Sequence, residues 1–266
     1  MTGFSAALAA GAMGLVEGLT EFLPVSSTGH LILAERWMGA KFHESFEVVI
    51  QSGAVLAVLV EYWRRFLRLG DLGARKGFAG LNGLFWLGLT SLPAGICGAL
   101  FHAAIKEKLF CPGAIAAALA AGGAAMIVLE RALPAREEGG VDGIGWKRAL
   151  GIGFFQCLAI VPGTSRSMST ILGGRLLGLG RKTATEYSFF AAVPLLLMAG
   201  AYDLAKGLDT LRREDWIPYA VGLAVSFGVA WLAIRWLVRL VSRHTLEGFG
   251  WYRIGLGAVV WWTLVR

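Results

Sequence analysis

Hydrophobic positions in this chain fall in long, nearly continuous blocks. They show neither the narrow stripe of a surface helix nor the alternation of a half-buried strand. Six blocks, Ser45–Phe66, Gly80–Ala104, Cys111–Leu133, Thr183–Lys206, Glu214–Val241 and Glu247–Val265, match the ~20 residues needed to cross a hydrocarbon layer of ~30 Å. Two further regions are apolar but interrupted. Phe4–Gly39 breaks at Pro24-Val25-Ser26-Ser27-Thr28-Gly29, and Lys147–Gly180 breaks at Pro162-Gly163-Thr164-Ser165-Arg166-Ser167. The pieces flanking each break are too short to span. The pattern therefore predicts an all-α polytopic membrane protein with six transmembrane helices and two re-entrant helix hairpins.

The order of elements repeats: hairpin, three spans, hairpin, three spans. The half-repeats cover approximately residues 1–133 and 147–266 of a single membrane domain. Pro24 pairs with Pro162 and Ser27 with Ser165 at an offset of 138, whereas Arg36, Gly39 and Glu47 pair with Arg175, Gly178 and Glu186 at 139. Three spans per half is an odd number, so the halves lie in opposite orientation. This inverted-topology repeat places a site near the midplane, between discontinuous helices.

Charge supports this topology. The stretches Trp63–Gly77, Arg131–Arg148, Arg175–Lys182 and Arg235–Arg253 hold 16 basic residues and the opposite side holds 8. The richer side is expected to be cytoplasmic, which puts both termini and the Gly39–Ser45 link outside. The net charge of +7 does not indicate nucleic acid, because the basic residues sit at the ends of apolar blocks. A mean hydropathy of +0.62 and a charged fraction of 16% exclude an ordinary soluble domain. Cys97, Cys111 and Cys157 are odd in number and lack metal-site spacing, so no disulfide framework is expected. The first apolar block lacks a basic start and contains Glu17 and Glu21, which argues against a cleavable signal.

The breaks carry the candidate chemistry. Glu17 and Glu21 stand one helical turn apart on a shared face, and two like charges at membrane depth need a counter-charge. They are either a structural pair bridged by an arginine, or ligands of a divalent cation with one acting as base. Ser26, Ser27 and Thr28 precede the apolar run Leu31-Ile32-Leu33. Hydroxyls there cap a helix, and the same free N–H groups bind phosphate oxygens. One serine becomes a nucleophile if a base is near. His30 is either an acid/base or an orienting group.

Thr164, Ser165 and Ser167 repeat the arrangement around Arg166, the one arginine expected near the midplane; its planar fork suits phosphate or the glutamate pair. Ser169 and Thr170 divide between capping and binding. Glu35, Glu61, Glu130 and Arg64 are expected to snorkel at span ends. Glu47, Gln51, Gln156 and Glu186 lie behind the hairpins. Trp261 and Trp262 mark an interface, and Gly122-Gly123-Ala124-Ala125 marks close helix packing.

The run from Glu17 through Pro24-Val25-Ser26-Ser27-Thr28-Gly29 to His30, together with Pro162–Ser167, resembles the undecaprenyl pyrophosphate phosphatase family of the bacitracin-resistance type. The likeness extends over the whole chain, with Met168 a departure where a small residue is usual. It implies hydrolysis of undecaprenyl diphosphate to undecaprenyl phosphate and inorganic phosphate in the bacterial plasma membrane, where it renews the lipid carrier of cell-wall synthesis. It further implies a site open to the outer face and dependence on Mg²⁺ or Ca²⁺. By the resemblance Glu17, Glu21, Ser27 and Arg166 matter most, with a contribution from His30.

Two ionised glutamates would repel a diphosphate, and this independently argues for a divalent cation on Glu17 and Glu21. Ser26, Thr28, Thr164, Ser165 and Ser167 are the expected phosphate contacts. The rival class is a secondary transporter or flippase of a lipid phosphate, for which inverted repeats and broken helices are typical. A hydroxyl beside a paired carboxylate favours the enzyme. The partners expected are the lipid substrate and membrane lipids, with no nucleic acid, and the sequence admits an oligomer.

Overall fold

The computed structural model describes residues 3–39, 42–74, 76–136, 139–207 and 215–266, and every regular element among them is a helix. In chain order these are α1 (Gly3–Thr20), α2 (Ser27–Met38), α3 (Glu44–Glu61), α4 (Trp63–Leu69), α5 (Gly80–Lys108), α6 (Pro112–Ala132), α7 (Gly145–Gln156), α8 (Arg166–Leu176), α9 (Arg181–Gly207), α10 (Trp216–Val241) and α11 (Glu247–Val260). Short 3₁₀ turns occupy Val141–Gly143 and Cys157–Ile160, and α11 runs on into a π-helical turn at Trp261–Val265.

Among the described residues four helices are long and apolar enough to cross a membrane, within α5, α6, α9 and α10; the bent pair α3–α4 makes a fifth candidate. The expected span Ser45–Phe66 is not straight. The chain turns by 83° at Tyr62, and α4 leaves the line of α3. Arg64, Arg65 and Arg68 fall within the seven residues of α4, and turning aside keeps three guanidinium groups out of hydrocarbon. The lipid-facing surface is legible on α5, where Leu81, Leu84, Phe85, Leu92, Ile96 and Leu100 are exposed at helical spacing.

Early and late helices of the chain are interleaved. The first arm α1 packs along α10, and α7 packs along α5. Both contacts are backbone to backbone. A Cβ on Gly14 would strike the Gly222 carbonyl, and one on Gly153 would meet the Leu89 and Thr90 carbonyls at 2.8 Å. α6 and α11 approach as closely through Gly123 and Gly250, as the small-residue run at 122–125 leads one to expect. Ser226 on α10 donates to the Ile50 carbonyl of α3 at 2.6 Å.

Buried polar groups fix the register of these contacts. Thr90 Oγ1 lies 2.7 Å from the Tyr187 hydroxyl and donates to the Ala149 carbonyl at 2.9 Å, joining α5, α9 and α7. Glu130 was expected to snorkel; instead its side chain is 1% exposed. It accepts from Arg175 Nε at 3.4 Å, Arg181 Nε at 2.6 Å and the Leu246 N–H at 3.4 Å. The end of α6 is thereby tied to α8, α9 and the start of α11. Arg175, counted among the basic residues of the surface, is buried here as the partner of Glu130.

The breaks share an unusual backbone. Ser26 (φ 72°) and Ser165 (φ 74°) are the positive-φ residues other than glycine among those described, and each stands immediately before a helix, α2 and α8. Gly39 and Gly178, which follow the ends of those helices, also have positive φ. Each pair is 139 positions apart (165 − 26 and 178 − 39). At this separation Ser26 stands opposite Ser165 and Ser27 opposite Arg166, one position away from the offset of 138 that set Ser27 opposite Ser165.

Candidate active site

α1 ends at Thr20, four residues short of Pro24, whose ring nitrogen has no hydrogen to continue a ladder. Glu17 and Glu21 lie at this fraying end, 2% and 7% exposed. The chain turns through Ser26 and re-enters a helix at Ser27, so the hydroxyl of Ser27 sits on the first residue of α2. It donates to Glu21 Oε2 at 2.8 Å. The other oxygen of the same carboxylate, Oε1, accepts from Arg166 Nη2 at 3.3 Å. Arg166 is the first residue of α8, so each of the two breaks delivers its candidate side chain at a helix N-terminus.

Arg166 is held from behind. Its Nη1 donates to the Ser188 carbonyl of α9 at 2.9 Å, and its guanidinium lies 5.6 Å from the centre of the Phe22 ring. Among the described residues its Nε–H is buried without a partner, and so is Glu17 Oε2. Glu17 lies within electrostatic reach of Glu21, Glu47 and Arg166. Carboxylates thus outnumber the neighbouring guanidinium, and one carboxylate oxygen is left for a cation or a proton. Among the described residues no three His, Cys, Asp or Glu side chains gather as a metal cage. Two carboxylates alone fit a cation that draws its other ligands from substrate phosphates and water, the usual habit of Mg²⁺.

The remaining sequence-predicted residues fall around this centre. Ser165 Oγ accepts from the Met168 N–H at 3.3 Å, capping α8, and lies 3.0 Å from Ser167 Oγ. Ser167 is fully buried and its hydroxyl donates to the Leu23 carbonyl at 2.8 Å, tying one break to the other. Ser169 and Thr170 donate to carbonyls of their own helix, and Thr170 also reaches Ser188 Oγ at 2.7 Å. Ser26 is buried and makes no side-chain cap, while Thr28 and Thr164 are half-buried beside the breaks.

His30 points away from Glu21. Its Nδ1 lies 2.7 Å from the Ser26 carbonyl and its Nε2 lies 2.7 Å from the Tyr252 hydroxyl. A carbonyl can only accept, so Nδ1 carries the hydrogen and Nε2 receives the tyrosine proton. The two rings stack at 5.6 Å. They border an apolar cavity of about 670 Å³ whose walls include Leu19, Leu23, Val25, Trp236 and Phe249.

One central residue escaped the sequence reading. Arg253, assigned there to the basic edge, is fully buried between the breaks. Its Nη1 donates to the Pro24 carbonyl at 3.3 Å, and its Nη2 reaches the carbonyls of Gly163 and Thr164 at 3.0 Å and of Ala118 at 3.3 Å. Arg166 is therefore not the lone arginine of the interior. A signal was present: Arg253 stands six residues past Glu247, about 9 Å into an apolar block, between Tyr252 and Ile254. Met168, the departure noted above, is buried alongside, and its sulfur and Arg253 Nη2 both crowd the space over Gly122.

Residues 10–259 match the family model described as bacitracin resistance protein BacA. The chain belongs to this family. Among its relatives, a protein named undecaprenyl-diphosphatase from Oleidesulfovibrio alaskensis is 48% identical over 257 residues, covering 95% of this chain and 97% of the relative. Proteins of the same name from Nitratidesulfovibrio vulgaris (47% over 257 residues; 96% and 97%) and Bordetella avium (45% over 267 residues; 93% of each chain) are similar to it. Membership of the BacA family, together with the apolar helices, makes this a multi-pass membrane protein.

Proposed function

We propose that this protein hydrolyses undecaprenyl diphosphate to undecaprenyl phosphate and inorganic phosphate at the junction of its two breaks. The observation that carries the site is Glu21, which accepts from Ser27 on one oxygen and from Arg166 on the other. A hydroxyl bonded to a carboxylate is a nucleophile with its base in place, and a neighbouring guanidinium is a partner for the charge a phosphoryl group brings.

In this reading Ser27 Oγ attacks the terminal phosphorus while Glu21 accepts its proton. The P–O bond to the bridging oxygen breaks, and undecaprenyl phosphate departs as a stable anion that needs no strong acid. Water then hydrolyses the phosphoserine and restores the hydroxyl. Arg166 offers its unpartnered Nε–H to a phosphate oxygen. The free N–H groups at the starts of α2 and α8, with Ser26, Thr28, Thr164 and Ser165 beside them, supply further donors. Ser167 contributes through its backbone, because its hydroxyl is already engaged by Leu23. Glu17 and Glu21 are the residues to hold a divalent cation, Mg²⁺ or Ca²⁺, which would offset the charge of the diphosphate. His30 orients the Ser26 carbonyl and is not required as an acid. The apolar cavity beside Leu23 and Val25 is a place for the first isoprene units of the tail.

The topology belongs to the same proposal. α1–α2 and α7–α8 are re-entrant hairpins from opposite faces, and α3, α5, α6, α9, α10 and α11 are six spans. The shared separation of Ser26/Ser165 and Gly39/Gly178, with the exchange of α1 onto α10 and α7 onto α5, supports an inverted repeat. Both termini and the site face outward, across the plasma membrane from the basic α3–α5 and α6–α7 links. Single cysteines in the link before Ser45 and at Arg136 test the orientation. A membrane-impermeant thiol reagent applied from outside should label the first and spare the second.

The assay is phosphate release from undecaprenyl diphosphate by purified protein in detergent, with and without chelator. Release without any membrane gradient supports the enzyme. Binding of the lipid without release would favour a carrier.

A further inference from the structure

We infer that Arg253 is a positioning residue for the phosphatase reaction, holding the main-chain carbonyls of both breaks so that Ser27 and Arg166 start their helices beside one another. This rests on the site proposed above. No carboxylate among the described residues lies within ion-pair distance of Arg253, and every hydrogen bond it makes is to a main-chain carbonyl. A buried cation without an anion is costly, and plain anchoring of a helix would be served as well by a neutral donor. The charge has a use here. Pro24 lies three residues before Ser27, and Thr164 two before Arg166. Carbonyl oxygens at such turns present negative partial charge to an incoming phosphate. Arg253 gathers three of them on its own side and neutralises them, leaving the N–H groups of the two helix starts for the substrate.

Neighbouring features fit the same role. Tyr252 holds His30, which holds the Ser26 carbonyl, so adjacent residues of α11 fix four carbonyls of the two breaks. Gly122 leaves room for the guanidinium, since a Cβ there would collide with Arg253 Nη2 and come within 2.8 Å of Met168 Sδ. Both obstructing atoms end flexible side chains, so alanine at 122 displaces the guanidinium without forcing α6 from α11.

Three variants test this: Arg253→Met, which keeps length and removes donors and charge; Arg253→Lys, which keeps charge and reaches fewer carbonyls; and Gly122→Ala. Each purified protein is measured for kcat, KM and thermal unfolding. A misplaced reacting group costs about 100-fold in rate. Folded Arg253→Met is therefore expected to lose about 100-fold in kcat with a smaller change in KM, and Arg253→Lys to fall between it and the parent. A kcat loss in Arg253→Met of less than about tenfold overturns the inference. If Arg253→Met does not fold, Gly122→Ala decides. A loss of about tenfold or more in kcat at parental Tm supports the role, and a smaller loss overturns it. Ser27→Ala, run alongside, separates the two layers of argument. If it turns over like the parent, the site assignment itself is wrong; if it is inactive while Arg253→Met is parental, only the role of Arg253 falls.

Discussion

Ser27 and Arg166 have the same local setting: each is the first residue of a helix, and each follows a serine held at positive φ. One carries the hydroxyl and the other the guanidinium; Ser27 donates to Oε2 of Glu21 and Arg166 to Oε1. At the same separation, Glu17 corresponds to Gln156 and Glu21 to Ile160. Those two positions before the later break therefore carry no carboxylate.

Glu21 and Ser27 should behave as a unit. Ser27→Ala and Glu21→Gln are each expected to lower kcat by about 1000-fold or more, and the double variant should be no worse than the poorer single one. Multiplying losses in a kinetic cycle would show that the two side chains act independently. Residual turnover of a few per cent in Ser27→Ala would mean that water attacks directly and the serine only places it.

Arg166→Lys should cost about 100-fold in kcat/KM. A lysine supplies charge but not the fork that spans Glu21 and the Ser188 carbonyl while keeping Nε–H for the phosphate. Turnover within a few-fold of the parent would remove Arg166 from the phosphate site.

Much of this could be read from the chain. The two Pro/Gly/Ser/Thr breaks in otherwise apolar regions, the one-turn spacing of Glu17 and Glu21, and the second break around Arg166 pointed to residues that the structure does bring together at Glu21, because a polar interruption at membrane depth is costly and needs partners. The bend at Tyr62 was hidden, since no proline or glycine marks it and Arg64, Arg65 and Arg68 read equally well as the anchoring end of a straight span. Glu130, Arg175 and Arg253 were misplaced for a common reason. A charged residue near the end of an apolar block looks alike in sequence whether it snorkels outward or turns inward to a partner, and the partners lie on helices far along the chain.

Glu130 supplies a stability test away from the chemistry. Glu130→Ala leaves Arg175 buried beside a lost partner, and unpairing a buried ion costs about 3–5 kcal/mol. Thermal unfolding in detergent should drop markedly while kcat of the remaining folded protein holds. Unchanged unfolding would show that the cluster contributes nothing net.

The link between α6 and α7 carries a pH-dependent contact. Partial burial pushes the Asp142 carboxyl up, but its hydrogen bonds from Arg65 and the Phe78 N–H, with the Arg65 and Arg68 charges, outweigh this and hold it below the ordinary carboxylate value. A group depressed by folding contributes stability above its unfolded pKa and loses it as pH falls through the folded one. Unfolding temperature should therefore decline on acidification below about pH 4. Asp142→Asn should flatten that part of the profile, and an unaltered slope would mean the contact is not formed.

If the Ser27 hydroxyl, activated by Glu21, takes the phosphoryl, turnover passes through a phosphoserine. The most direct measurement is rapid quenching of the purified protein with undecaprenyl diphosphate labelled on the terminal phosphate, followed by mapping of the label. A transient phosphoserine is expected at Ser27, formed at least as fast as turnover and absent from Ser27→Ala. Steady phosphate release with no labelled protein at any time, and with Ser27→Ala active, would contradict it.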